Sequence, residues 1–277
     1  MVHAIGPWTR PKLFERPEWS FRDALSAYRR SYEEVSGVIE VQDFHKAFAD
    51  HVAVRGVTFP VEPGQLLAII GPNGAGKTTT MRALAGIIPA SHGRLSIAGF
   101  DVETDPIAAK SRIAFVPDDA PLFHDLTVEE HLSFYASIYR VSDARSKALR
   151  LLDEFELTSK LRTTASNLSR GMRQKLAIVC GYLHDPQAIL FDEPLTGLDP
   201  QGIRIFKRSL LARAAQGAAV MISSHMLAMV EDLCTHVLIL DQGVQRFCGS
   251  LDELRETFDR DDADASLEEI FFAATSP

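Results

Sequence analysis

The residues with the most specific chemical pattern in this chain form a glycine-rich run that follows an apolar segment and opens a helical one. Residues 71–79 read Gly-Pro-Asn-Gly-Ala-Gly-Lys-Thr-Thr and fit the phosphate-loop spacing Gly-x-x-x-x-Gly-Lys-Ser/Thr. Glycines let backbone N–H groups approach phosphate oxygens, and the N-terminus of the following helix adds positive potential. We expect Lys77 to bridge the β- and γ-phosphates of a nucleoside triphosphate and the Thr78 hydroxyl to bind Mg²⁺. The predicted phosphate-binding residues are Gly71, Pro72, Asn73, Gly74, Ala75, Gly76, Lys77, Thr78 and Thr79.

Two adjacent carboxylates end a later apolar run, Ile189-Leu190-Phe191-Asp192-Glu193. In phosphate-loop enzymes a carboxylate at such a strand end holds Mg²⁺, and we assign this role to Asp192. Because strand residues alternate in direction, we expect Glu193 to point elsewhere and to polarise the attacking water. Taken alone, an Asp-Glu pair after an apolar run is equally compatible with a solvated strand end.

A second anion site is predicted at the start of a helix between these two motifs. The segment Leu168-Ser169-Arg170-Gly171-Met172 precedes a helical pattern of apolar residues. Ser169 has the position of an N-cap, and the free N–H groups behind it would bind an anion. Only the first site has the lysine and the magnesium ligands.

In order and spacing these motifs resemble the ATP-binding cassette (ABC) ATPases, whose signature sequence is Leu-Ser-Gly-Gly-Gln. The resemblance covers roughly residues 38–250 and implies that Phe48 stacks on adenine and that His225 contacts the γ-phosphate. It places Asp199, in Leu198-Asp199-Pro200, in a loop that crosses a dimer interface. It also implies that Ser169 and Gly171 of one subunit close over ATP held by the phosphate loop of another.

Three departures from the family pattern bear on function. The signature has Arg170 and Met172 where the family has glycine and glutamine, yet it keeps the serine and the second glycine, so we expect a competent site. Asp118, in Val116-Pro117-Asp118, replaces the usual glutamine; it keeps an oxygen that can reach Mg²⁺ and adds a negative charge near the γ-phosphate. The ending at residues 267–271 resembles the drug- and polymer-export branch, although an amphipathic terminal helix after an acidic linker fits it equally well.

The elements that must position these residues alternate between strands and helices. Continuous apolar strands at 66–70, 188–191 and 219–222, each joined to helices, predict a parallel sheet covered on both faces. The helix that begins at Lys77 is expected to carry Met81, Leu84 and Ile87 along one side.

Other segments predict smaller subdomains around this sheet. Short strands from Val38 to about Gln65 and a hairpin around Gly99 predict an antiparallel β subdomain. Residues from about 119 to 170 predict a helical subdomain, with a capping box at Thr127 and Glu130, and a last hairpin is predicted around residues 241–243. We therefore expect an α/β fold: a phosphate-loop NTPase core with a parallel sheet, an antiparallel β subdomain and a helical subdomain.

Three regions are expected along the chain: an N-terminal extension at 1–37, a nucleotide-binding domain at 38–250 and an acidic tail at 251–277. The extension predicts a helix from Ser20, which either docks on the main domain or on a partner, or belongs to a partly ordered extension. The tail holds nine acidic residues against two arginines, so it accounts for −7 of the net charge of −8.

Composition excludes several classes of protein. Three widely spaced cysteines give neither a disulfide framework nor a zinc pattern, and we expect a reducing cytosol. No apolar run approaches the roughly 18 residues of a membrane span, and the first residues lack the apolar run that is typical of a signal peptide. No basic stripe is present, so nucleic acid is not an expected partner.

These observations favour a Mg²⁺-dependent ATPase that drives export through an integral membrane permease on a separate chain. It would act as a homodimer or heterodimer of nucleotide-binding subunits, on the inner face of the cell membrane. The alternative is a soluble ABC-type ATPase with a mechanical or assembly role, although the chain lacks a long coiled coil and a second cassette. A phosphate-loop kinase or GTPase would leave residues 168–172 and His225 unexplained.

Overall fold

Two β-sheets of different strand arrangement organise the fold. The computed structural model describes residues 37–49, 51–258 and 267–275, which belong to a unit spanning residues 36–277. The helix predicted from Ser20 lies outside the described residues. In chain order the strands and helices are β1 (Ile39–Phe48), β2 (His51–Val61), β3 (Leu66–Ile70), α1 (Lys77–Leu84), β4 (His92–Ile97), β5 (Phe100–Asp101), α2 (Pro106–Lys110), β6 (Ile113–Val116), α3 (Val128–Tyr139), α4 (Ala144–Glu154), α5 (Arg170–Tyr182), β7 (Ala188–Asp192), α6 (Pro200–Ala215), β8 (Ala219–Ser223), α7 (Leu227–Leu233), β9 (His236–Asp241), β10 (Val244–Ser250), α8 (Leu251–Phe258) and α9 (Leu267–Thr275).

The larger sheet has the strand order β10-β9-β3-β8-β7-β6. Its strands from β9 to β6 run parallel, and β10 is added antiparallel at one edge. Every residue of β3, β7 and β8 is buried, because elements cover both faces of the sheet. Their continuous apolar sequences follow from this burial, and the predicted parallel sheet is confirmed.

The smaller sheet is antiparallel, with the order β2-β1-β4-β5, and the hairpin predicted around Gly99 joins β4 to β5. The hairpin predicted near residue 242 joins β9 to β10 through Gln242 and Gly243, whose φ angles are 49° and 78°. Positive φ at both central residues is typical of a turn that matches the twist of the two strands. Both hairpins are therefore confirmed.

The segment between β6 and β7 contains α3, α4, the start of α5 and two short 3₁₀ turns at Thr158–Lys160 and Ala165–Asn167. The predicted capping box is confirmed: the Thr127 side chain accepts from the Glu130 N–H, and the Glu130 carboxylate accepts from the Thr127 N–H at 2.8 Å. These hydrogen bonds satisfy donors that would otherwise be unpaired at the start of α3.

One local prediction is wrong. The predicted helical pattern includes Ile87, but α1 ends at Leu84, and Gly86 follows with a φ of 63°. The chain turns away at this glycine, which leaves Ile87 58% exposed. The strands β7 and β8 each extend one residue beyond their predicted ends, to Asp192 and Ser223.

The described part of the acidic tail forms α8 and α9, which contact each other and the core strand β10. Leu254, Leu267 and Ile270 are buried in the same apolar cluster as the parallel sheet. The acidic residues of these two helices, Asp252, Glu253, Glu256, Glu268 and Glu269, therefore belong to elements whose apolar residues pack on the core. Among the helices that the structure describes, none is both long and apolar enough to cross a lipid bilayer.

Phe206 of α6 is a sensitive probe of this core. It is fully buried and meets the Phe191 ring of β7 edge to face, with 4.9 Å between ring centroids. We expect Phe206→Ala to lower the free energy of unfolding by about 3–5 kcal/mol, because it leaves a cavity beneath the strand that carries Asp192. Urea denaturation measures this change.

The matched control is Leu211→Ala on the same helix, where the side chain is 47% exposed. We expect it to cost about 0.5 kcal/mol or less. Equal losses for the two variants would contradict the assignment of Phe206 to the core.

Candidate active site

The strand order brings the predicted site residues to one edge of the large sheet. The strands β3, β8, β7 and β6 are neighbours and run parallel, so the loops at their carboxyl ends lie side by side. The phosphate loop follows β3, and His225 follows β8 within two residues. Asp192 ends β7, and Asp118 follows β6. Residues far apart in the chain thus meet at this edge.

The phosphate loop ends at Gly76, the residue before α1. Its φ of 103° favours glycine, and a β-carbon here would lie 2.9 Å from the Ala53 carbonyl oxygen. No side chain caps α1, so the N–H groups of its first turn lack intrahelical acceptors and are available to an anion. The loop therefore has the donors that a phosphate needs.

The Lys77 ammonium folds back over this loop. It donates hydrogen bonds to the Gly71 carbonyl oxygen at 2.6 Å and to the Pro72 carbonyl oxygen at 3.1 Å. Burial lowers the pKa of Lys77 from its usual value, and the nearby Glu193 and Asp192 carboxylates act to raise it. The lysine therefore places its charge between the loop and the two carboxylates.

Ser223 connects the two carboxylate residues, and the sequence analysis did not identify it. Its hydroxyl donates to Asp192 Oδ1 at 2.5 Å and accepts from the Glu193 N–H at 3.0 Å. Asp192 and Ser223 are paired in the register of β7 with β8, and both are buried. The sequence could have pointed to this serine only if the register of β7 with β8 had been known, because that register places Ser223 beside Asp192.

Glu193 differs from the prediction in how it is oriented. It lies beyond the end of β7 with a φ of 50°, so its direction comes from a left-handed residue and not from strand alternation. That conformation costs about 1–2 kcal/mol in a residue other than glycine, and the hydrogen bonds of its N–H to Ser223 offset part of the cost. The Glu193 Oε2 atom lies 2.9 Å from Nδ1 of His225, whose side chain is 76% exposed.

The second predicted anion site lies at the start of α5. The Ser169 hydroxyl accepts from the Met172 N–H at 3.2 Å, which confirms Ser169 as the N-cap. A β-carbon at Gly171 would lie 2.6 Å from the Gly197 carbonyl oxygen, so the glycine also allows a close approach within the chain. Asp199 caps α6 by accepting from the Gly202 N–H at 2.9 Å.

Some of the predicted residues do not meet. Across the described ranges, no hydrogen bond or ion pair joins Ser169, Gly171 or Asp199 to the phosphate loop. Phe48 lies at the end of β1 and is 45% exposed, with Lys46 Nζ 4.9 Å from its ring centroid. An exposed ring is available to a stacking partner, whereas a core role for this residue is excluded.

The donor atoms near Lys77 suit a hard cation. The Thr78 hydroxyl and the Asp192 carboxylate are oxygen ligands of the type that Mg²⁺ prefers. In the part of the chain that the structure describes, no group of three or more His, Cys, Asp or Glu side chains could hold a metal ion. A Mg²⁺ ion that takes most of its ligands from phosphate oxygens and water needs only a few protein ligands, so this small set of oxygens is compatible with it.

Ser223→Ala tests the link between the two strands. It removes the hydrogen bond to a buried carboxylate, so we expect the free energy of unfolding to fall by about 1.5–3 kcal/mol. The same substitution should lower the free energy of unfolding by less in an Asp192→Asn background, because Ser223 then binds an uncharged amide and not a carboxylate. Urea denaturation of the four proteins of this cycle measures the coupling.

Ser209→Ala is the matched control. Ser209 is equally buried, but its hydroxyl donates to the uncharged Phe206 carbonyl oxygen at 2.8 Å. We expect it to cost about 1 kcal/mol, whether or not Asp192 is charged. If Ser223→Ala lowers the free energy of unfolding no more than Ser209→Ala does, this would contradict a hydrogen bond from Ser223 to a buried, charged Asp192.

Comparison with known proteins agrees with this geometry. A family model described as ABC transporter matches residues 54–196. The chain is 34% identical over 240 residues to the ABC-type transporter ATP-binding protein EcsA of Bacillus subtilis (strain 168), covering 86% of this chain and 96% of that protein. It is 31% identical over 211 residues to the Nod factor export ATP-binding protein I of Cupriavidus metallidurans, covering 76% and 70%.

A solved structure of an ATP-binding subunit of an ABC transporter superposes on the fold. Its TM-score is 0.82 at 34% sequence identity, and the match covers 86% of this chain and 99% of that one. The predicted fold class is thereby confirmed. The chain therefore belongs to the ABC transporter family, as an ATP-binding protein of the kind that hydrolyses ATP.

Proposed function

We propose that two copies of this chain, or one copy and a relative, close around ATP and drive export through a separate membrane permease. The observation that carries the proposal is the separation of two anion-binding helix starts. The phosphate loop holds Lys77 and faces the carboxylates, while the N-terminus of α5 carries Ser169 and makes no hydrogen bond or ion pair with that loop among the described residues. A second chain would bring its own α5 to the first chain's loop.

In this proposal the phosphate loop binds the triphosphate and each nearby side chain has a distinct role. Lys77 would move its hydrogen bonds from the Gly71 and Pro72 carbonyl oxygens to the β- and γ-phosphates. Thr78 and Asp192 would hold Mg²⁺, and Asp118 would offer a further oxygen ligand. The metal, when bound, neutralises part of the phosphate charge. Phe48 stacks on the adenine.

Glu193 polarises the attacking water, and His225 orients the Glu193 carboxylate. The hydrogen bond between Glu193 and His225 fixes one carboxylate oxygen and leaves the other free to accept from water. His225 is largely exposed, so it can also contact the γ-phosphate. Asp199, at the N-cap of α6, contributes to the surface that a second subunit covers.

The permease contact is proposed at a groove of about 350 Å³ between the parallel sheet and the helical segment. Its walls include Ile87, Pro117, Leu122, Tyr135, Tyr139 and His184. Burial lowers the pKa of His184 to about 4, so its imidazole is neutral, and Lys110 supplies the charge among the residues that line the groove. Pro117 immediately precedes Asp118, so an apolar segment seated here would touch the loop that reaches the nucleotide.

Export and a peripheral place on the inner face of the cell membrane follow from the same proposal. Relatives named for export, such as the Nod factor export protein, support the direction. The resemblance of residues 267–271 to the drug- and polymer-export branch supports it as well. The groove offers a way for a chain without a spanning helix among its described residues to attach to a membrane protein.

Glu193→Gln tests the closed dimer. The variant keeps the ATP contacts but loses the charge that polarises water, so we expect hydrolysis to fall at least about 100-fold and ATP-bound dimers to accumulate. Size-exclusion chromatography with light scattering, with and without Mg²⁺ and ATP, measures the dimer.

The control adds Ser169→Arg to the same variant. The large side chain blocks the second helix start, so the double variant should bind ATP as a monomer. A monomer of Glu193→Gln under saturating ATP, or a dimer that Ser169→Arg does not affect, would overturn the two-chain site.

Co-purification from detergent extracts of the native host tests the permease. We expect the tagged chain to retain a stoichiometric membrane protein with several spans. Ile87→Asp should abolish this retention, because it places a charge on the rim of the groove. Leu211→Asp, at an exposed apolar residue outside the groove, should retain the partner. Soluble partners alone would support the alternative of a mechanical or assembly ATPase.

A further inference from the structure

Two departures from the signature pattern of the family lie opposite each other in the fold. Asp118 stands where the family usually has glutamine, and Arg170 stands where the family has glycine. A guanidinium nitrogen of Arg170, Nη2, lies 3.6 Å from Asp118 Oδ1. The extra negative charge and the extra positive charge thus form an ion pair between the loop after β6 and the start of α5.

Packing directs Arg170 toward this partner. A β-carbon at Gly197 would lie 2.9 Å from the Cδ atom and 3.0 Å from the Cγ atom of Arg170. The aliphatic part of the side chain therefore lies against the Gly197 backbone, in the loop between Glu193 and Asp199. Because the stem is held there, less conformational entropy is lost when the guanidinium pairs than for a free surface arginine.

The neighbouring Arg173 forms its hydrogen bond with a different partner. Arg173 lines the same cleft as Asp118 and Arg170, but its Nη1 donates to the Leu168 carbonyl oxygen at 2.7 Å. Asp119 adds a second carboxylate to this cleft. Arg170 is therefore the arginine that offsets the charge of Asp118 in this part of the described structure.

The charge balance has a consequence for nucleotide binding. Although its oxygen can reach Mg²⁺, the Asp118 carboxylate also repels the phosphates of ATP beside it, whereas the glutamine that it replaces would not. We propose that Arg170 is a positioning residue that holds Asp118 by this ion pair and offsets its charge, so that the chain tolerates aspartate beside ATP. The proposal rests on the placement of Asp118 near bound ATP in the proposed function.

A second role for Arg170 is the competing explanation. At the start of α5, its guanidinium could instead face the γ-phosphate bound by a partner chain. In that case the arginine would act on ATP directly, and the charge of Asp118 would not matter. The two explanations differ in whether the effect of Arg170 depends on Asp118.

The test measures the dissociation constant of a non-hydrolysable ATP analogue with Mg²⁺, by isothermal titration on the full chain. Arg170→Gln is made in the natural background and in an Asp118→Asn background. We expect it to weaken binding roughly threefold to fivefold with Asp118 present and less than about 1.5-fold with Asn at 118. The larger effect should diminish in high salt, because the pair is exposed.

Two further variants refine the test. Arg170→Lys should restore most of the affinity, since the contact is a single N–O approach and not a bidentate fork. Arg162→Gln is the charge-matched control: Arg162 is exposed in the helical segment and makes no ion pair within the described ranges. It should leave the dissociation constant unchanged in both backgrounds.

A readout without nucleotide separates this proposal from the proposed function. Hydrogen exchange of residues 117–122 in the nucleotide-free chain should increase in Arg170→Gln and return toward the natural rate in Arg170→Lys. Unchanged exchange would overturn the ion pair as a restraint on the loop. Equal losses of ATP affinity in the two backgrounds would overturn the charge compensation and favour direct contact with phosphate, whatever the outcome for dimer or permease.

Discussion

The parallel register of β7 with β8 is the constraint on which the site depends. It pairs Asp192 with Ser223, so that one hydroxyl binds a buried carboxylate and the backbone of the next residue at once. That second contact holds Glu193 in its left-handed conformation, and Glu193 in turn lies within hydrogen-bond distance of His225. A shift of this register by one residue would reverse the direction of every side chain on the strand and separate all of these groups. The chemistry at the sheet edge is therefore held by β-sheet pairing more than by the loops.

Features with local causes could be predicted from the sequence. The phosphate loop, the capping box at Thr127 and the turn at Gln242-Gly243 depend on residues within a few positions of one another, and their residue types have few other uses. The parallel sheet followed from apolar runs too continuous for a half-exposed strand. These signals are carried by short segments, so tertiary packing had little to change.

Features that depend on distant residues could not be predicted. Ser223 has no motif of its own and acquires its contacts only through strand register. Strand alternation gave the wrong reason for the direction of Glu193, because the strand ends one residue earlier and the backbone turns. Ile87 continued a helical pattern that Gly86 ends. The pairing of Asp118 with Arg170 joins two apparent irregularities that the sequence separates by about fifty positions and the fold brings together.

In the proposed function, each chain supplies a loop that holds ATP and a separate helix start that holds the ATP of its partner from the opposite side. Cross-linking of introduced cysteines tests this directly, because the three natural cysteines, Cys180, Cys234 and Cys248, are buried, and burial raises the pKa values of the Cys180 and Cys234 thiols. Chains carrying Asn73→Cys are mixed with chains carrying Met172→Cys, both in the Glu193→Gln background. With copper phenanthroline added as the oxidant, we expect a disulfide-linked dimer of one chain of each kind that appears only with Mg²⁺ and ATP. Cross-linking that ignores ATP, or that joins two Asn73→Cys chains equally well, would contradict it.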